Sequence, residues 1–133
     1  MAKNTNTTEG ANYTVAISEC SRELSAKERI VMKDTSNATK LDVACEGQTL
    51  HIVPKDYAVL TVHNEKSDSV DYKNYIIMDE NGEKYCTGSD SFWNAFKSIY
   101  DEMKDETEAW AIDIYKLDSK NYKGKKFLTC SIV

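Results

Sequence analysis

One stretch of this chain constrains its fold more than any other. Phe92, Phe96, Ile99 and Met103 follow one another at spacings of four, three and four. They therefore share one face of a helix. Gly88-Ser89-Asp90-Ser91, just ahead, is rich in residues that cap helix starts. The spacing predicts an amphipathic helix of about four turns over Ser89–Met103.

Strand-like runs flank that helix on both sides. Before it come Tyr57–His63, Tyr72–Met78 and Lys84–Thr87, the last two joined by Glu80-Asn81-Gly82-Glu83 with an Asn-Gly pair suited to a tight hairpin. After it, Trp110–Tyr115 alternates with Trp110, Ile112 and Ile114 pointing inward, and Lys126–Val133 forms a last strand. Three strands, a helix and two strands is the chain order of an OB-fold barrel. The expected fold is mainly β with one α-helix: an OB-fold-like five-stranded barrel, plugged by the apolar helix face, with additional N-terminal strands.

The first half carries weaker signals. Asn12–Ser18 alternates around Tyr13, Val15 and Ile17 as a strand. Ser25 followed by Glu28 has the form of a capping box, while Arg29–Asp34 reads as a short strand, and the strand is the favoured reading. Further short strands are expected at Ala38–Val43 and Thr49–Val53, with Glu46-Gly47 turning between them and Pro54 ending the run. The organisation expected is a flexible tail over residues 1–12 and a single OB-like domain over 13–133. Within that domain, 13–54 supply extension strands and 57–133 the barrel core.

A length of 133 residues suits one domain, and 41% hydrophobic with 29% charged residues is ordinary for a globular protein. No run approaches the roughly 20 apolar residues of a membrane span. The start, residues 1–10, is polar and lacks a secretory pattern, so cytoplasm is the expected compartment, that of the host cell if the chain is phage-encoded. Cys20, Cys45, Cys86 and Cys130 form no CxxC pair and read as structural thiols. His51 and His63 lack metal-ligand spacing. There is no Gly-rich nucleotide loop, HExxH or GxSxG motif. Asp56, Asp71 and Asp79 read as scattered carboxylates. The chain is therefore expected to be no enzyme, with no catalytic residues, metal or cofactor.

A net charge of −5 argues against a polycation that grips nucleic acid through its total charge. The charge is uneven, however. Asp101–Glu108 is strongly acidic, whereas Lys120, Lys123, Lys125 and Lys126 are opposed only by Asp118 across residues 117–127. A binder of single strands needs cations that follow phosphates and aromatic faces on which bases stack. Tyr122 among these lysines offers both, and Gly124 lets the loop turn. Tyr115, opposite in alternation to Ile112 and Ile114, is expected to face outward and join Tyr72 as a stacking residue. The loop Asn64–Asp71 is expected to shape the same groove without gripping. Thr87–Ser91 reads as an ordinary helix cap rather than a phosphate cradle.

These motifs resemble a known group. His63-Asn64-Glu65-Lys66, Tyr85-Cys86-Thr87-Gly88-Ser89 with Ser91-Phe92-Trp93, and Ser119–Lys125 with Phe127-Leu128-Thr129-Cys130 look like those of small single-stranded DNA-binding proteins from bacteriophages and mobile elements of Gram-positive bacteria. The resemblance covers about Leu24–Val133. It implies strand contacts at Lys120, Tyr122, Lys123 and Lys125, with Lys126 beside them. It also implies sequence-non-specific binding in DNA replication or recombination. The expected partners are single-stranded DNA, host or phage replication proteins and further copies of the chain. One departure is that Leu128–Val133 reads as a strand where many such proteins carry an acidic tail, which argues against recruitment through a tail. The competing reading is a small acidic phage protein that binds and inhibits a host defence or replication protein through Asp101–Glu108.

Overall fold

The computed structural model describes residues 13–66, 71–121 and 123–133. The tail expected over residues 1–12 lies outside them. The elements run β1 (Tyr13–Cys20), α1 (Ala26–Lys33), β2 (Thr39–Lys40), α2 (Leu41–Ala44), β3 (Leu50–Ile52), β4 (Pro54–Asn64), β5 (Asp71–Asp79), β6 (Lys84–Thr87), α3 (Asp90–Met103), β7 (Ile112–Asp118) and β8 (Lys126–Ile132). The fold is mainly β, in two sheets. Five strands pair in the order β1-β4-β5-β6-β2, and three in the order β3-β7-β8. Among the described residues no helix is long and apolar enough to cross a membrane.

Only Val53 separates β3 from β4, so one bent run of chain serves both sheets. Pro54 does not end the strand as expected. It opens β4, at a break in the β4–β5 register between Pro54 and Asp56. The first residue of a strand is a place where a missing N–H is tolerated.

The closed five-stranded barrel expected from the chain order does not form among the described residues. Closure would pair β6 with β8, and both edges are otherwise engaged. The parallel pairs Thr39–Tyr85 and Lys40–Cys86 place β2 on β6. On β8, the Leu128 carbonyl accepts the hydroxyl of Ser91 from α3 at 2.8 Å.

The expectation of one helix is also corrected. Residues 26–33, read as containing a strand, form α1. The Ser25 hydroxyl accepts from the Glu28 amide at 3.2 Å, and the Glu28 carboxylate accepts from the Ser25 amide at 2.8 Å. Both bonds satisfy amides that a helix start otherwise leaves open. The strand expected over Ala38–Val43 shortens to two residues and gives way to α2, because Leu41 and Cys45, one helical turn apart, both bury.

Alternation splits the five-stranded sheet into two faces. Tyr57, Tyr75 and Ile77 turn toward α3 and the second sheet, and Phe92 and Phe96 fill the space between, both 0% exposed. Each such ring contributes about 1.5–3 kcal/mol by leaving water. Trp93 stacks on Tyr75 with centroids 4.7 Å apart and meets Tyr57 edge-on at 5.1 Å. On the other face Ala58, Leu60 and Ile76 bury beneath Leu24 and Met32. Lys84 of β6, itself buried, ties α1 down by donating to the carbonyls of Val31 and Asp34 at the helix end. The four cysteines are unpaired, and burial pushes the Cys130 thiol up to about 12.

Candidate nucleic-acid interface

The β7–β8 hairpin positions the basic loop. Its register sets Ile112 opposite Ile132, Ile114 opposite Cys130 and Leu117 opposite Phe127. Because side chains alternate, Ile114, Leu128 and Cys130 face the core, while Tyr115, Leu117, Phe127 and Thr129 face the other way. Leu117 is 46% exposed and Phe127 37%. An apolar pair this open at the base of a loop adds little to the core. Tyr115 stands one step further along the same face, and its hydroxyl is bonded to that of Ser131 on the adjacent strand. Its ring is thereby fixed, half-buried.

Beyond this pair the chain crosses from Ser119 to Lys125. The Ser119 amide donates to the Lys125 carbonyl at 2.9 Å, and Gly124 adopts φ 79°, in the left-handed region that favours glycine. Lys120, Lys123 and Lys125 are exposed. None has an ion-pair partner among the described residues. Lys126 differs. It lies opposite Asp118 in the ladder and pairs with it at 2.8 Å, and that bond raises its pKa. Its charge is already offset, unlike that of Lys120, Lys123 and Lys125. Tyr122 lies outside the described residues.

Tyr72 is exposed but is not brought to this face. It sits on β5 opposite Val62, in the other sheet, with the alternation of Ile76 and thus on the α1 side. Of the loop Asn64–Asp71, expected to shape the same groove, residues 67–70 lie outside the described residues. Its start, Asn64, lies at the far end of the bent strand, whereas the β7–β8 hairpin extends past Leu50 at the near end. At that far end His63 sits between two carboxylates, Nδ1 to Asp71 at 2.7 Å and Nε2 to Glu65 at 3.1 Å. The hydrogen bond to Asp71, then that to Glu65, raises its pKa.

The helix cap and the carboxylates singled out in the sequence have local partners. Ser89 caps α3 by accepting from the Phe92 amide at 3.1 Å, and Asp90 accepts the Tyr75 hydroxyl at 2.6 Å. Asp56 takes Arg22, Asp71 takes His63, and Asp79 accepts the amides of Asn81 and Glu83 in the hairpin turn. Among the described residues no three His, Cys, Asp or Glu side chains gather to hold a metal ion.

Sequence reasoning missed Leu117 and Phe127. The signal was present in Lys126-Phe127-Leu128-Thr129-Cys130: two adjacent apolar residues in a strand cannot both face one side. Compared with protein-family models, with curated proteins and with solved structures, the chain matches none.

Proposed function

We propose that the chain binds single-stranded DNA along the outer face of the β7–β8 hairpin, without strong sequence preference and without catalysis. Bases stack on Phe127 and against Tyr115, while Lys120, Lys123 and Lys125 follow the phosphates. Stacking contributes about 1–3 kcal/mol per base and tolerates any base. The observation that carries this reading is the exposed Phe127, set across from Leu117 at the root of a loop with three uncompensated lysines. A surface whose total charge is negative then binds through one local strip.

The path from β3 to β8 supports reading the molecule as an OB-type barrel opened between β6 and β8. A role in replication or recombination of a phage or mobile element rests on the motif resemblance. Fluorescence anisotropy of labelled oligo-dT, with duplex as control, tests the proposal. Saturable binding that weakens with salt is expected, and absence of oligo-dT binding at low salt overturns it.

A further inference from the structure

The face of the five-stranded sheet turned away from the hairpin carries a second feature. A recess of about 470 Å³ opens beneath the edge of α1, over the ends of β4 and β5. That volume falls within the roughly 300–1,000 Å³ of small-molecule sites. Leu24, Val31, Met32 and Met78 give it an apolar lining. Methionine thioethers adapt to ligands of irregular shape.

The polar groups at its rim are almost all spent on one another. Glu28 accepts from Arg22 at 2.7 Å and 3.2 Å and from the Ser25 amide at 2.8 Å. Asp56, 7% exposed, accepts from Arg22 and from the Ser21 hydroxyl, each at 3.2 Å. Lys27 is the exception: it also lines the recess, is exposed, and has no partner among the described residues. The unengaged polar group is thus a cationic donor, beside an apolar hollow. An amine would find the acceptors already occupied, whereas an acid meets a free ammonium.

We propose that this recess binds a small apolar acid, its hydrocarbon or aromatic body against Leu24, Val31, Met32 and Met78 and its carboxylate against Lys27. The site is independent of strand binding, since it lies on the opposite face of the sheet. The ligand is recognised mainly by shape and burial. The ion pair at the solvent edge selects charge.

The test uses the full chain labelled with ¹³C at its methionine methyls and titrated with decanoate. The Met32 and Met78 signals are expected to shift saturably while that of Met103, which does not line the recess, stays in place. Val31→Trp fills the mouth from a position already 41% exposed and is expected to abolish the shifts without harming the fold. Lys27→Glu, on the surface, is expected to weaken decanoate about five-fold. The proposal is overturned if decanoate moves neither signal at millimolar concentration, or moves Met103 equally. It also fails if decyltrimethylammonium binds as well as decanoate, or if either variant binds decanoate like the parent.

Discussion

Leu117 and Phe127 face each other across the β7–β8 ladder, both turned away from the core that the residues beside them help to form. A directly opposed apolar pair stiffens a hairpin by a few tenths to about 1 kcal/mol. It also leaves an exposed apolar pair on the outer face of the hairpin. Phe127→Ala is therefore expected to change stability by no more than about 1 kcal/mol while weakening oligo-dT binding by about 1–3 kcal/mol. Urea melts alongside anisotropy separate the two effects. A variant that binds normally removes Phe127 from the interface.

Replacing Lys120, Lys123 and Lys125 together by Glu is expected to abolish oligo-dT binding with the fold intact. For the parent, three phosphate contacts imply that log K falls against log salt with a slope of about −2 on a single strand. Lys126→Ala is expected to leave that slope unchanged, because Asp118 already holds its ammonium. A slope reduced as much by Lys126→Ala as by Lys123→Ala contradicts this division.

His63 sets a pH dependence whose sign follows from its two carboxylate partners. Asp71 and Glu65 raise its pKa in the folded state. Its contribution is then fully present below the unfolded value of about 6.5 and is lost as pH rises through the raised folded value. Thermal midpoints of the parent and of His63→Gln, compared at mildly acidic and at alkaline pH, are expected to differ more on the acid side. NMR titration of His63 is expected to give a midpoint above 6.5.

Phe96 is fully buried between α3 and both sheets. Phe96→Ala is expected to cost about 3–5 kcal/mol, read as a lower urea midpoint. Trp93 lies against the same ring, with centroids 5.5 Å apart, so tryptophan fluorescence reports the loss directly. A cost below about 1 kcal/mol is incompatible with such burial.

Lys84 holds the end of α1 through the carbonyls of Val31 and Asp34. Lys84→Ala leaves those carbonyls without their buried donor and is expected to cost about 1–3 kcal/mol. Hydrogen exchange is expected to quicken in α1 and hardly at all in β7 and β8. Uniform quickening across both regions contradicts a local anchoring role.

The elements legible in the sequence are those whose side chains repeat at one period. The spacing of Phe92, Phe96, Ile99 and Met103 names α3, capped by Ser89. The residues Lys84–Thr87 form β6 with the bounds expected. α1 was misread because it lacks such a face: only Met32 is buried, and β-branched Ile30 and Val31 lie exposed. Its start was nevertheless written in Ser25 and Glu28. Barrel closure could not be read from strand order, since two residues of β2 decide it by taking the edge of β6. In the proposed interface the lysines are legible as a charge cluster. Phe127 is not, because Leu128 beside it looks like the same apolar run until register assigns them opposite faces.

The single residue between β3 and β4 has a mechanical consequence. Among the described residues no strand ladder joins the two sheets, which are linked by side-chain packing, by the chain through Val53 and by the segment that carries α3. A change in their splay breaks no strand pair and acts on the junction at Val53 and Pro54, where the Val53 carbonyl accepts the Glu80 amide at 3.0 Å and Pro54 donates no hydrogen bond. A polymer seated on the hairpin as proposed would load an arm that shares no rung with the larger sheet, so a tilt of that arm would leave its own rungs fastened.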